Sequence, residues 1–403
     1  MSVLTDAADL KDELVRLRRD LHREPELGLE LPRTQERVLA ALDGLPLELS
    51  TGTGLSSVTG VLRGGLPGPT VLLRGDMDAL PVTERTGVPY SSQREGRMHA
   101  CGHDLHTSML VGAAHLLTTR RADLPGNVVF MFQPGEEGHR GAQHMIDEGV
   151  LEASGERPVA AYGLHVTSST LPGGWFATRP GTVMAAADFI DVTVRGRGGH
   201  SSRPHLAADP LPAACEMVLA LQTLVTRRFD VFDPVVLTVS DFHAGTVGNV
   251  ITDEVTFTVN TRSFSEVAHT KVKDGVAEVI RGIAAAHGLT AGIEITMSYP
   301  VTVNDRAQTG FAEETIGGLF GPERFVSLPN PLTGSEDFSY VLDQVPGAFV
   351  FLGACPPDRD AATAPFNHAP EAAFDDAVLP DGAALLAELA LRRLDQEQVA
   401  WSN

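Results

Sequence analysis

Three cysteines, Cys101, Cys215 and Cys355, are all that this 403-residue chain carries. A disulfide framework is therefore excluded, and so few thiols in so long a chain fit a reducing cytosol. Basic residues are scarce as well. Lys and Arg number 31 against 52 Asp and Glu, a formal net charge of −21, which repels polyanions and argues against nucleic acid or an anionic membrane surface as a partner. Nowhere do 18 consecutive apolar residues occur, so no membrane-spanning helix is expected. The N-terminus, Met1-Ser-Val-Leu-Thr-Asp-Ala-Ala-Asp9, has neither the basic nor the apolar segment of a secretory leader, and a cytoplasmic location is expected. Internal repeats and low-complexity tracts are lacking too.

What remains is ordinary globular material, 43% hydrophobic and 21% charged, long enough for two or three folding units. Leu10, Leu14, Leu17 and Leu21 share one helix face, so the chain is expected to open with an amphipathic helix that ends near Pro25. From there to about residue 185, short apolar runs (Thr70 to Arg74, Asn127 to Phe132, Ala161 to His165) alternate with helical stretches such as Leu105 to Leu117. That is an α/β pattern, and the uninterrupted apolar strands predict a sheet covered on both faces. Between about 187 and 299 the strands alternate strictly, as in Ile190, Val192, Val194 and in Val255, Phe257, Val259. The elements read strand 188–195, helix 208–226, strand 234–241, strand 254–262, helix 266–286 and strand 291–298, the β-α-β-β-α-β order of a ferredoxin-like unit. The expected organisation is an α/β catalytic domain over 1–186 and 300–403, closed by a helix over 380–396, with an α+β domain inserted over 187–299. Inserted domains commonly act as lids.

Seven of the 14 histidines fall between residues 99 and 165. Five segments between Asp76 and His368 carry metal-competent side chains. Asp76-Met77-Asp78 follows an apolar strand, and its carboxylates, spaced i, i+2, point the same way from the carboxyl edge of the sheet. His99-Ala-Cys101-Gly102-His103-Asp104 can aim S and N at one metal, although it also describes a buried thiol beside a helix-capping Asp. Gln133-Pro-Gly-Glu136-Glu137-Gly138 places two glutamates beyond a strand; on an extended segment they diverge, one toward a metal and one toward substrate as a proton acceptor. His165 ends a strand, and His368 lies in Phe366-Asn-His-Ala-Pro370. Taken together, the five segments are explained most economically by a two-metal centre, which needs about five or six ligands and an unliganded general base. His106, His115, His139, His144, His205 and His243 are expected on helix or loop surfaces.

These segments, with Gly163-Leu-His165, Gly198-Gly-His-Ser-Ser202 and Gly334-Ser-Glu-Asp-Phe338, resemble the M20 metallopeptidase family. The likeness is to its branch of hippurate hydrolases, N-acyl-amino-acid amidohydrolases and auxin-conjugate hydrolases, and it runs from about Leu21 to the C-terminal helix. The resemblance implies a two-metal aminopeptidase-like catalytic domain and an inserted lid that also mediates assembly into a homodimer or tetramer. It implies Cys101, His103, Glu137, His165 and His368 as ligands of two divalent ions, manganese or zinc, with cobalt or nickel as alternatives. Glu136 is implied as general base, and Asp78 as the carboxylate that orients a ligand. The wider family has His-x-Asp where this chain has Asp76-Met77-Asp78; here the cysteine segment takes the place of the first histidine. His200 resembles a histidine that reaches the site from the neighbouring subunit to stabilise the tetrahedral intermediate. Asn249, Arg262 and Gly334 resemble substrate-contacting positions. The implied reaction is hydrolysis of a small N-acyl amino acid. A dipeptidase or carboxypeptidase activity is the alternative on the same site, and a thiol amidase using Cys101 as nucleophile is a different chemistry for the same residues.

Overall fold

The computed structural model describes residues 2–401. The chain divides into two compact units. The larger takes in the chain up to Gly181, Val303–Pro329 and the chain from Tyr340 on; the smaller is Thr182–Thr302 with Asn330–Ser339. In chain order, α1 (Val3–Asp9), α2 (Lys11–Arg23) and α3 (Pro32–Leu42) precede β1 (Leu47–Thr51), β2 (Val58–Arg63) and β3 (Leu66–Asp76). Next come α4 (His103–Thr118), β4 (Pro125–Gln133), α5 (Gly141–Asp147), β5 (Ala160–Thr167), β6 (Phe176–Thr178) and β7 (Gly181–Met184). The smaller unit contributes β8 (Ala186–Arg195), β9 (Gly199–His200), α6 (Pro210–Arg228), β10 (Val235–Ala244), β11 (Val250–Ile251), β12 (Glu254–Ser263), α7 (Glu266–Ala286) and β13 (Thr290–Tyr299). Last are β14 (Thr302–Asn304), α8 (Arg306–Phe320), β15 (Phe325–Ser327), α9 (Ser339–Leu342), β16 (Gly347–Gly353) and α10 (Leu379–Trp401). Among the described residues no helix is long and apolar enough to cross a membrane.

The larger unit is built on one eight-stranded sheet in the order β1-β2-β4-β3-β5-β16-β6-β15. Its middle strands β4, β3, β5 and β16 run parallel, while β1 and β2 join antiparallel at one side. The apolar runs read from the sequence are these middle strands, and they are buried almost throughout. Helix α4, which holds the helical stretch expected over 105–117, is enclosed on every side; only His115 and Thr118 escape full burial. It packs against β3 and against α10. An all-round apolar helix of this kind belongs in the interior.

In the smaller unit the order β10-β12-β8-β13, antiparallel at each pairing, is the ferredoxin-like arrangement of four strands and two helices. The alternation seen in the sequence becomes a register: Val255, Phe257 and Val259 stand opposite Val194, Val192 and Ile190. Met217 and Leu221 of α6, with Val272, Val276 and Ile280 of α7, complete that core. The boundaries differ from the sequence reading. Residues 330–339, assigned there to the larger domain, lie in the smaller unit because Ala185 N–H bonds the carbonyls of Leu332 and Gly334, and Arg262 Nη1 donates to Ser335 Oγ at 3.0 Å. Long-range pairing of this sort leaves no local periodicity to read.

Two features fix where α4 begins. Gly102 caps it in the left-handed region, φ +83°, and a Cβ there would lie 2.4 Å from Val166 Cγ2 and 3.1 Å from Phe374 Cε1. Asp104 in the first turn is fully buried, pairs with the Arg18 guanidinium, whose Nε lies 2.8 Å from its Oδ2, and meets His22 Nδ1 at 2.7 Å. Arg18 also reaches Asp376 at 3.0 Å, and His22 Nε2 reaches Glu84 at 3.2 Å. Buried charges are tolerated only when paired in this way. The result is a polar clamp that fastens α2, the start of α4, the segment around Glu84 and the approach to α10.

Burial alone would raise the Glu84 pKa, but His22 and the Ser92 N–H and Thr86 hydroxyl bound to its carboxylate bring it down to about 2. A carboxylate depressed in the folded state stabilises at pH above its unfolded value, and that contribution disappears as the pH falls through the folded one. Denaturant unfolding of the wild type should therefore lose stability between pH 4.5 and 2 more steeply than Glu84→Gln; equal slopes would refute the pairing. Gly102→Ala combines a left-handed alanine, about 1–2 kcal/mol, with overpacking of about 1–3 kcal/mol. Urea titration should show a loss of at least about 2 kcal/mol, and a shift below about 1 kcal/mol would contradict the close approach to Val166.

Candidate metal centre

The carboxyl ends of the parallel strands open onto one region, the place where open α/β sheets put their ligands. Cys101 and His103 flank Gly102 at the head of α4, Glu137 follows β4, His165 lies near the end of β5, and His368 lies beyond β16. His368 is held at φ +74°, unusual for a residue with a side chain, and its N–H donates to the Ala100 carbonyl at 2.9 Å. This bond brings the segment after β16 onto the cysteine segment, and His368 meets Cys101 across 267 residues of chain.

Two triads result. Ligand atoms of Cys101, His103 and His165 lie within 4.8 Å of one another, as do those of Cys101, Glu137 and His368. Cys101 belongs to both: its Sγ is 3.4 Å from His165 Nε2 and 3.2 Å from His368 Nε2. Glu137 Oε1 is 3.2 Å from His368 Nε2 and 3.9 Å from His103 Nε2. Both ring nitrogens of His103 and Oε1 of Glu137 are buried without a well-formed hydrogen bond. Such atoms are normally satisfied, and their convergence with a thiol and two more imidazoles is the donor set of a divalent-cation site. Burial would lower the pKa of His103, yet Asp76, Asp78 and Cys101 raise it well above the ordinary histidine value. His368 behaves alike, pushed by Cys101 and Glu137 up to about 10 against the effect of burial. At these two rings the neighbouring acidic groups favour positive charge, whereas burial and the nearby His106 hold His165 well below the ordinary histidine value.

The two glutamates do not stand on an extended segment as the sequence reading has them. They sit in a turn between Gly135 (φ +72°) and Gly138 (φ +82°), closed by Gly138 N–H to the Glu136 carbonyl at 2.8 Å. Asp78 draws the turn in: its Oδ1 accepts the Glu136 N–H at 2.9 Å and its Oδ2 the Glu137 N–H at 3.0 Å. The same Oδ1 lies 3.5 Å from His103 Nδ1. Asp78 thus touches both the loop bearing Glu137 and the ring of His103. Glu136 is 6% exposed, with a carboxylate oxygen within 4.8 Å of His103 and Glu137 ligand atoms.

Sequence reasoning missed the supports behind these groups. His106, expected on a helix surface, is 2% exposed; its Nδ1 lies 2.6 Å from Asp76 Oδ1 and its Nε2 2.7 Å from the Val166 nitrogen. The signal was present in the i, i+3 spacing that puts His103 and His106 on one face of α4. Asp76 is neither exposed nor a lone acid, since Arg74 Nη1 meets its Oδ2 at 2.6 Å and Arg74 Nε meets Gln133 at 2.9 Å. Asn367 is the other omission. Its Nδ2 donates to the Val166 and Cys101 carbonyls at 3.0 and 3.3 Å, and its Oδ1 accepts the Ser168 N–H at 2.9 Å.

The remaining candidates belong to the smaller unit. His200 and Asn249 are exposed and line one cavity of 580 Å³ with Gly199, Thr246 and Ile251. The His200 Nδ1 accepts from Ser202 Oγ at 2.8 Å. Arg262, in β12, meets Ser335 instead, next to the exposed Gly334.

The model of peptidase family M20/M25/M40 matches residues 72–392. IAA-amino acid hydrolase ILR1-like 4 of Arabidopsis thaliana is 37% identical over 399 residues, covering 98% of this chain and 89% of the relative. Thermostable carboxypeptidase 2 of Saccharolobus solfataricus is 35% identical over 391 residues, 96% of this chain and 97% of the relative. Among solved structures, the Bacillus subtilis YXEP protein, described as a dinuclear metal binding peptidase from the M20 family, superposes with a TM-score of 0.79 at 30% identity, covering 96% of this chain and 99% of that one. A family match that runs from Leu72 in β3 into α10, through every segment that brings a donor to the centre, makes this chain a member of peptidase family M20/M25/M40.

Proposed function

We propose that the chain is a metal-dependent amidohydrolase that splits an N-acyl amino acid into a carboxylic acid and a free amino acid. The observation that carries this is the packing of Cys101, His103, Glu137, His165 and His368 into two triads that share a thiol, with the buried Glu136 beside them. Two divalent ions, when bound, polarise the scissile carbonyl and make water nucleophilic near neutral pH. The thiolate favours zinc, and the nitrogen and oxygen donors also admit manganese, cobalt or nickel. Glu136 takes the proton of the attacking water and returns it to the leaving nitrogen. Asp78 holds the glutamate turn and the His103 ring in place for this. In the smaller unit, which we assign as lid and assembly domain of a homodimer or tetramer, His200 donates to the developing oxyanion and the planar guanidinium of Arg262 receives the substrate carboxylate. Asn249 and Gly334 are assigned to substrate contact. The free state of all three cysteines suits a cytoplasmic enzyme.

Two other readings rest on specific observations. The likeness to a carboxypeptidase keeps peptide substrates in view, whose amide and free carboxylate make the same demands on the site. The 3.2 Å approach of Cys101 Sγ to His368 Nε2 is also the geometry of a thiol nucleophile and its base. Hydrolysis of N-acetyl, N-benzoyl, indole-acetyl and dipeptide substrates after reconstitution with zinc, manganese, cobalt or nickel separates them. Chelation should abolish turnover and metal should restore it; activity that survives chelation would establish the thiol reading instead. Glu136→Gln should lower kcat by about 10²–10⁴-fold with metal content unchanged, and wild-type turnover in that variant would overturn the assignment of the base.

A further inference from the structure

His106 is a buried histidine next to the centre that the proposed reaction does not use, and both of its nitrogens are committed. An amide N–H can only donate, so the 2.7 Å contact between Val166 N and His106 Nε2 leaves the lone pair on Nε2 and the proton on Nδ1. Nδ1 then donates to Asp76 Oδ1 at 2.6 Å. The other Asp76 oxygen accepts from Arg74 at 2.6 Å, and the Asp76 carbonyl accepts from Thr107 Oγ1 at 2.7 Å. Ligand atoms of Asp76, His103 and His106 lie within 4.8 Å of one another, yet the trio is no third cation site. His106 has no lone pair left to give, and Arg74 already supplies the positive charge.

What His106 holds is residue 166, and residue 166 holds two of the candidate ligands. The Val166 N–H closes the peptide that follows His165. The Val166 carbonyl accepts from His165 Nδ1 at 2.8 Å and from Asn367 Nδ2 at 3.0 Å. With Nδ1–H so used, His165 presents a bare Nε2 at 3.4 Å from Cys101 Sγ, while Asn367 immediately precedes His368. The rings of His106 and His165 pack with centroids 4.7 Å apart.

We infer that the Asp76–His106 pair is a positioning device for the metal centre: it fixes one imidazole tautomer, clamps the Val166 backbone through it, and thereby aims His165 Nε2 at the shared thiol. The inference rests on the metal centre proposed above. Outer partners of metal ligands act this way in general, fixing tautomer and ring orientation. Asp76→Asn should break the device from the other end. Whichever way an asparagine amide is turned, its NH₂ faces either Arg74 Nη1 or the His106 Nδ1–H, and moving that proton to Nε2 sets it against the Val166 N–H.

The test uses the full chain with zinc and with cobalt(II) as probes. Removing the Nε2 acceptor in His106→Leu should weaken zinc binding, read by chelator competition, by about 10–100-fold and shift the visible absorption of the cobalt(II) form, with KM little changed. His106→Gln, whose side-chain carbonyl can accept from Val166 N–H, should recover most of the affinity, and Asp76→Asn should behave like the leucine variant. A folded His106→Leu protein with wild-type zinc affinity and cobalt spectrum overturns the inference, as does a glutamine variant no better than leucine. If the leucine variant does not fold, nitrogen NMR of the zinc-loaded wild type decides. A neutral His106 protonated on Nδ1 supports the device, and protonation on Nε2 or on both nitrogens refutes it. Wild-type protein that takes up neither metal would remove the metal centre itself and this inference with it, an outcome distinct from normal uptake that is insensitive to residue 106.

Discussion

Donor atoms crowded at one sheet edge repel one another unless positive charge sits among them, and everything around this centre is arranged to keep them there. The Cys101 thiol, the Glu137 carboxylate and three imidazoles bring their ligand atoms to within 3.2–3.9 Å of a neighbour. Without a cation, protonation of His368 beside Cys101 and Glu137 relieves part of this crowding, and the remaining groups would otherwise turn toward solvent. Cys101 and His103 are denied this by burial, Glu137 and His165 in part, and the half-exposed His368 only by the rigidity of the peptide on which it stands. A cation bound among them would turn that repulsion into attraction.

That rigidity has three sources of different reach. Backbone geometry acts over one or two residues: Gly102 and His368 occupy left-handed conformations, and strained φ values persist where surrounding packing over-determines them. Hydrogen bonds from side chain to backbone act over one strand spacing, as where Asp78 collects two consecutive N–H groups and Asn367 ties two carbonyls together. Buried ion pairs act across the unit. Asp104 with Arg18 and His22 anchors the first turn of α4, and Asp76 with Arg74 anchors the end of β3. Buried pairs of this kind contribute little net stability, because desolvation offsets attraction. Their value here is directional, since each fixes an element that bears a donor.

Much of this was legible in the chain. Uninterrupted apolar runs announced β3, β4 and β5, and strict alternation announced β8 and β12, because a strand buried on both faces and one buried on a single face require different periods. Of the ligand candidates, Glu137 and His165 stood at the ends of such runs, Cys101 and His103 at the head of α4, and His368 in the loop beyond β16. What stayed hidden had a consistent cause. Residues 330–339 join the smaller unit through backbone bonds to 183–185, a pairing between segments about 150 residues apart that no local pattern encodes. The glutamate turn was read as extended because its shape depends on Asp78, more than fifty residues earlier. His106 looked like a surface histidine because a helix enclosed all round has no polar face to mark its interior.

The sequence by itself determined which chemistry was available. Side-chain type sets donor strength, softness and protonation, and those properties travel with the residue wherever it is placed, so Cys101, Glu137 and the histidines made a divalent-cation site available, and the resemblance of their segments to the M20 family pointed to hydrolysis. Only the tertiary structure decided which of them meet, which oxygen or nitrogen of each faces its neighbour, and which neutral tautomer His106 adopts. Those are matters of distance and angle between chain segments far apart in sequence, and hydrogen bonding and electrostatics fall off too steeply with both for any linear pattern to stand in for them.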